Sequence, residues 1–171
     1  MKNEMRTLLL RFAYVVGFVA MTSGVMAKEA DNANNDVAIE GTWLSRVMIP
    51  NPPPGVPPVF LSMATYTGTG QAMEWNSTTQ DRSVGLGEWA RTGHRTFVRT
   101  FTYFVFGAGH VFASFTQVTS MIELAPDGET YTATNEFRIY SPGGVLMTVG
   151  QNTSVANRCG VGDTVPSCIP V

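Results

Sequence analysis

From Ile39 onward the chain is a succession of runs in which Thr, Val, Phe and Tyr recur at every second position, and each run is closed by Gly, Pro, Asp or Asn. A period of two places successive side chains on opposite faces of a strand, and the 3.6-residue spacing of an amphipathic helix is almost absent. Eight strands are predicted: Ile39 to Ile49, Val59 to Thr67, Gln71 to Asn76, Gly87 to Thr92, Arg95 to Phe106, Val111 to Leu124, Thr130 to Tyr140 and Leu146 to Arg158. Thr67-Gly68-Thr69-Gly70, Thr92-Gly93-His94, Gly107-Ala108-Gly109, Pro126-Asp127-Gly128 and Ser141-Pro142-Gly143-Gly144 supply glycine where tight reversals need positive φ. Consecutive strands therefore pair as antiparallel neighbours. The exception is Asn51 to Pro58, whose prolines lack the ladder N–H and predict a stiff loop lying over one end of the sheet. Strands in meander order leave exposed edges unless they close. The expected fold is all-β, an eight-stranded antiparallel up-and-down β-barrel, with an interior to be filled by side chains or to hold one small ligand.

The chain ahead of these runs reads differently. Lys2, Arg6 and Arg11 flank the start of an apolar stretch, Phe12 to Met26, that ends in Val25-Met26-Ala27. This is the pattern of an export signal of bacterial type, cleaved after Ala27. The stretch is short and holds Thr22 and Ser23, which argues against a retained membrane span. Residues 1–27 are thus expected to be a signal peptide, 28–38 a loose polar lead-in and 39–171 a single barrel domain, located in the periplasm or secreted. Oxidising conditions there permit a disulfide, and Cys159 with Cys168, the two cysteines of the chain, would staple the Gly- and Pro-containing tail.

Charge bounds the partners. A formal net charge of −2, with charged residues at 14%, argues against a protein that grips nucleic acid by neutralising phosphates. Two histidines leave little material for a His/Cys metal centre, and they stand at hairpins, His94 and His110, expected at opposite ends of the barrel. No metal and no cofactor are expected. Gly85-Leu86-Gly87-Glu88-Trp89-Ala90 formally matches G-x-G-x-x-A, but a dinucleotide site needs a helix where this sequence predicts a strand.

Both faces of the long strands are substantially apolar. On the fifth strand Phe97, Arg99, Phe101, Tyr103 and Val105 share one face. On the sixth, Val111, Ala113, Phe115, Gln117, Thr119 and Met121 oppose Phe112, Ser114, Thr116, Val118, Ser120, Ile122 and Leu124. A monomeric barrel in water needs only its inner face apolar, so a homo-oligomer joined through the sheet is expected.

The same alternation selects candidate site residues. Arg99, if internal, must meet a carboxylate or a substrate oxygen, and Glu74 and Glu136 are its predicted partners. Tyr103 and Tyr66 can donate a phenolic proton from an apolar wall. Glu74, beside Trp75, is the predicted acid or base, because an apolar surrounding would raise its pKa. Gln117, Asn135 and Asn152 interrupt apolar or small alternation and would orient a polar ligand group. Trp89, Phe97, Phe101 and Phe115 complete the expected ligand wall.

Gly41-Thr42-Trp43 in the first strand resembles the G-x-W signature of lipocalins and their calycin relatives, whose eight-strand meander this chain shares. The resemblance implies that Trp43 packs at a closed barrel end beneath an arginine from the end of the barrel, and Arg158 is placed for that role. The short meander is also similar to allene oxide cyclase-like and dirigent-type barrels, which implies an oligomer acting on apolar molecules without a cofactor.

Three functions compete on this reading. The first is a cofactor-independent isomerase or lyase for a small hydrophobic terpenoid- or lipid-like compound, with Tyr103 donating a proton, Arg99 stabilising charge and Glu74 acting as base. The second is a non-catalytic periplasmic carrier for a small hydrophobic ligand. The third is a structural module whose barrel is filled throughout.

Overall fold

The computed structural model describes residues 37–52, 56–78 and 80–171. The strands are β1 (Gly41–Met48), β2 (Val59–Tyr66), β3 (Gln71–Asn76), β4 (Gly85–Arg91), β5 (Thr96–Phe106), β6 (Phe112–Leu124), β7 (Thr130–Tyr140) and β8 (Leu146–Cys159). Each pairs antiparallel with the next, and β1 pairs with β8 from Thr42↔Cys159 to Met48↔Thr153. The sheet is therefore a closed eight-stranded barrel, which leaves no edge to template aggregation. Predicted and observed strands agree to within a residue or two at every end, because the turn glycines and prolines mark the reversals unambiguously. His94 and His110 lie beyond opposite ends of β5, as expected.

The predicted signal, residues 1–27, and most of the lead-in lie outside the described residues. Its last two residues, Val37 and Ala38, are not loose. Val37 packs on the core, its carbonyl accepts a hydrogen bond from Arg91 Nη2 at 3.1 Å, and the Ala38 carbonyl accepts one from Arg158 Nη2 at 2.6 Å. Part of the predicted proline loop, residues 53–55, is likewise undescribed; Ile49 N–H donates to the Pro58 carbonyl at 2.8 Å across its base.

One end of the barrel is packed solid. Ile39, Trp43, Tyr66, Phe97, Ile122, Leu124, Tyr131 and Ala156 form its core, with Trp89 against it. Trp43 donates from Nε1 to the Ile39 carbonyl at 2.8 Å, and its ring lies 4.9 Å from that of Tyr131. The Arg158 guanidinium stands 4.4 Å over Trp43 and donates to the carbonyls of Gly128, Glu40 and Ala38. Arg158 thus joins the strand ends and the lead-in into one plug. Cys159 and Cys168 stand at disulfide distance, Cα to Cα 5.5 Å, and fold the tail back on β8.

The glycines of the G-x-G-x-x-A string have a packing explanation. They lie in β4, where no helix follows, and a Cβ on Gly85 would meet the Phe101 ring at 2.6 Å and Glu74 Oε2 at 3.2 Å. A Cβ on Gly87 would run into the backbone of Thr100 and Phe101. Glycine there lets β5 approach β4 closely and leaves the Phe101 ring room inside the barrel.

Candidate functional site

Above the plug the interior changes character. Strand alternation turns Arg99 of β5, Ser120 of β6, Asn135 of β7 and Asn152 of β8 inward, and the ladder sets them side by side: Arg99↔Ser120, Ser120↔Asn135, Asn135↔Asn152. Ser45, Ser62, Glu74 and Ser154 complete a polar layer, all buried. Toward the open end this layer borders a cavity of about 200 Å³. Val47, Ile49, Val56, Phe60, Val118, Phe137 and Ile139 form its apolar wall, while Glu74, Arg82, Arg99, Tyr103, Asn135 and Asn152 bring polar atoms to it, as do Asn76, Thr78 and Gln80.

Two charged centres occupy the layer. Glu74, 3% exposed, receives the Ser62 hydroxyl proton on Oε1 at 2.5 Å and Arg82 Nη2 on Oε2 at 2.6 Å. Arg82 comes from the β3–β4 connection, held by a bridge to Val105, and its guanidinium lies 3.7 Å over the Tyr103 ring. The Glu74 surroundings are thus polar and charged, not the apolar pocket expected. Arg99, 7% exposed, donates from Nη2 to Ser120 Oγ at 2.9 Å and faces the rings of Phe101 at 4.7 Å and Tyr66 at 5.6 Å. Its Nε has no partner, and neither does Asn135 Oδ1. Burial works against the Arg99 charge, but the nearby oxygens of Tyr66, Tyr131 and Glu74 outweigh it and the proton is held more tightly than usual. Burial raises the Tyr103 phenol, with Arg82 opposing, so Tyr103 offers a neutral O–H to the cavity.

Comparison with known proteins returned no matching family model, no similar curated protein and no similar solved structure. The site's own geometry carries the functional argument.

The structure gathers Tyr103, Arg99, Glu74, Phe101, Asn135 and Asn152 around one cavity. It separates the other candidates. Tyr66, Trp89 and Phe97 lie in the plug, with Trp89 Nε1 donating to the Thr67 carbonyl at 3.0 Å and its ring meeting both Tyr66 and Phe97. They stand at the strand ends opposite the mouth, below the reach of the cavity. Phe115 and Gln117 are on the outer surface, because the inner set of β6 is Ser114, Thr116, Val118, Ser120, Ile122 and Leu124. Gln117 joins Thr119, Glu136 and Arg138 around a shallow outer depression. Phe115 packs on Phe104 and Phe112, ring centroids 5.6 and 4.8 Å away. Phe112 reaches that outer cluster because a register shift at Val105/Phe106 breaks the alternation beside it. Glu136 does not reach Arg99; it pairs outside with Arg138 at 2.7 Å.

Arg82 is the functional residue that strand reasoning missed. It lies outside the alternating runs, so no face could be assigned to it. Its signal was indirect: a buried carboxylate needs a cation, and Arg82 is the first one after Glu74 in the sequence. Among the described residues no group of three His, Cys, Asp or Glu stands close enough to hold a metal ion.

Proposed function

We propose that this protein is an exported barrel that binds one small molecule, with the ligand's apolar body in the mouth and its polar head on the layer of Arg99 and Asn135. The observation that carries this reading is a cavity walled by apolar side chains of β1, β2, β6 and β7 into which a few buried polar groups, Arg99 and Asn135 among them, project. Pockets that bind small molecules combine such walls with a few fixed polar groups. A barrel acting only as a filled structural module has no use for a cavity floored by buried charge, which lowers stability unless it is paired. The stacking of Arg158 on Trp43 supports the lipocalin-like comparison, and the cysteine pair is compatible with an oxidising compartment. The test is titration of purified protein with the neutral fluorophore N-phenyl-1-naphthylamine. One site per barrel is expected, lost when Val118→Trp fills the wall; saturation unaffected by that substitution would remove the reading.

A second reading, a cofactor-free isomerase or lyase, is favoured by one arrangement: Glu74, Arg82 and Tyr103 form a contiguous charged and phenolic wall. Against it, both Glu74 oxygens already accept a hydrogen bond, one from Ser62 and one from Arg82. Enzymatic turnover would require that Tyr103→Phe and Glu74→Gln retain affinity yet abolish conversion.

We also propose self-association through the outer face of β2–β4. The cross-strand pairs Met63↔Trp75 and Met73↔Leu86 make an exposed apolar row there, with Trp75 57% exposed.

A further inference from the structure

The charges that face the cavity do not balance. They are Glu74, Arg82 and Arg99 among its lining residues. Glu74 is satisfied by Arg82 and Ser62, one on each oxygen. Arg99 is left as a buried guanidinium that donates to one hydroxyl and faces two aromatic rings, with the Tyr66, Tyr131 and Glu74 oxygens nearby, and among the described residues no carboxylate forms an ion pair with it. A π face attracts a cation but accepts no strong hydrogen bond, so the guanidinium that lines the cavity carries donors beyond its one bond to Ser120, its enclosed Nε–H among those without a partner. Buried arginine almost always meets an anion, because an isolated ion in a low-dielectric interior is costly and guanidinium cannot shed its proton.

We infer that the ligand is a monoanion, a small carboxylic acid with an apolar body, whose carboxylate meets the Arg99 guanidinium at the cavity floor. This rests on the ligand-binding reading above and names its ligand class. One carboxylate brings the cavity's formal charge from +1 to zero, with Glu74, Arg82 and Arg99 all counted. A dianionic phosphate would overshoot and set a second anion against Glu74. Asn135 lines the same floor, but an amide presents either its oxygen or, rotated, its N–H, so it does not choose between an acid and an alcohol. Arg99 does, since a charge-assisted bond to a carboxylate is markedly stronger than one to a hydroxyl.

The experiment is calorimetric titration of delipidated full-length protein with octanoate, octanol and octylamine, which share one body and differ in the head group. Octanoate is expected to bind once per barrel and about tenfold or more tighter than octanol, with octylamine weakest. Arg99→Gln should bring octanoate and octanol within about threefold of each other, and Arg99→Lys should keep the preference for the acid. Equal binding of acid and alcohol, or binding of the naphthylamine probe but of none of the three, overturns the acid inference while the binding barrel stands. Failure of all four probes overturns both. Should Arg99→Gln lose its near-ultraviolet circular dichroism, the wild-type ranking together with Arg99→Lys decides the matter.

Discussion

Below the row of Arg99, Asn135 and Asn152 the barrel holds Trp43, Tyr66, Phe97, Tyr131 and Leu124 in tight contact; from that row to the mouth the same strands surround empty volume, with Glu74 and Tyr103 on its wall. The ladder, the twist and the alternation are common to both halves. What differs is the residue chosen at each inward position as a strand climbs: Phe97 then Arg99 then Phe101 then Tyr103 on β5, Tyr131 then Ala133 then Asn135 then Phe137 on β7. Closure of the sheet is secured by one end, which frees the other to carry groups that folding alone would not select. Aromatic plugs contribute stability roughly in proportion to the apolar area they remove from water, whereas a buried guanidinium without a counter-ion lowers it.

Truncating the plug should have the largest effect. Trp43→Ala removes a fully buried indole that also bonds Ile39 and supports Arg158, and a loss of about 3–5 kcal/mol is expected in urea or guanidinium unfolding. Val118→Ala at the cavity wall should cost about 1 kcal/mol or less, since the side chain already borders open volume. Equal losses at the two sites would erase the distinction between plug and pocket.

Next comes the Glu74–Arg82 pair. Glu74→Gln leaves Arg82 buried without a counter-charge and should destabilise by about 3 kcal/mol, an effect that Glu74→Gln combined with Arg82→Met should largely reverse. A thermal or chemical unfolding series on the single and double variants checks both statements. If the single variant costs less than about 1 kcal/mol, the pair is solvated and belongs to the mouth rather than to the floor.

These regions were unequally legible in the sequence. Strand existence and order followed from alternation and turn chemistry, both local properties, and the closed meander followed from them. The face of β5 that carries Arg99 was read correctly as a set. Which of its members would line the cavity was not, because depth along the barrel depends on which end is plugged, and alternation is silent about that. Phe97, Trp89 and Tyr66 were therefore grouped with Phe101 although they share the end of Trp43. On β6 both alternating sets contain bulky residues, so a one-residue choice moved Phe115 and Gln117 to the wrong face. Arg82 escaped because a connection has no period to read.

Self-association offers a sharper contrast between inside and outside. Light scattering at tens of micromolar is expected to give a mass above the monomer, and Met73→Lys with Trp75→Glu should return it to the monomer while shifting unfolding by no more than about 0.5 kcal/mol. A monomeric wild type would remove the proposal and leave the apolar row as ordinary exposed surface.

The smallest expected effect lies at the boundary between the halves. Tyr66 is 2% exposed and its hydroxyl makes no hydrogen bond of good geometry, although Arg99 and Tyr131 stand near it, so the ring belongs to the plug while the oxygen gains little from it. Removing an unsatisfied buried hydroxyl is near neutral or favourable, and Tyr66→Phe should leave stability unchanged or raise it by up to about 1 kcal/mol at pH 7. Burial also pushes the Tyr66 phenol well above its ordinary value, with Arg99 opposing. Because the folded-state value is the higher one, the unfolded chain releases this proton first. The stabilisation is intact below about pH 10 and is lost as pH climbs toward the folded value. Tyr103 acts in the same sense, so the wild type should lose stability in alkali and Tyr66→Phe should lose it less steeply, by up to about 1.4 kcal/mol per pH unit. Denaturant titrations at pH 7 and pH 11 on both proteins measure the two slopes. A loss beyond about 1 kcal/mol at pH 7 would mean that the hydroxyl is engaged in the folded protein, and Tyr66 would then belong with Arg99 in the polar layer instead of with Trp43 beneath it.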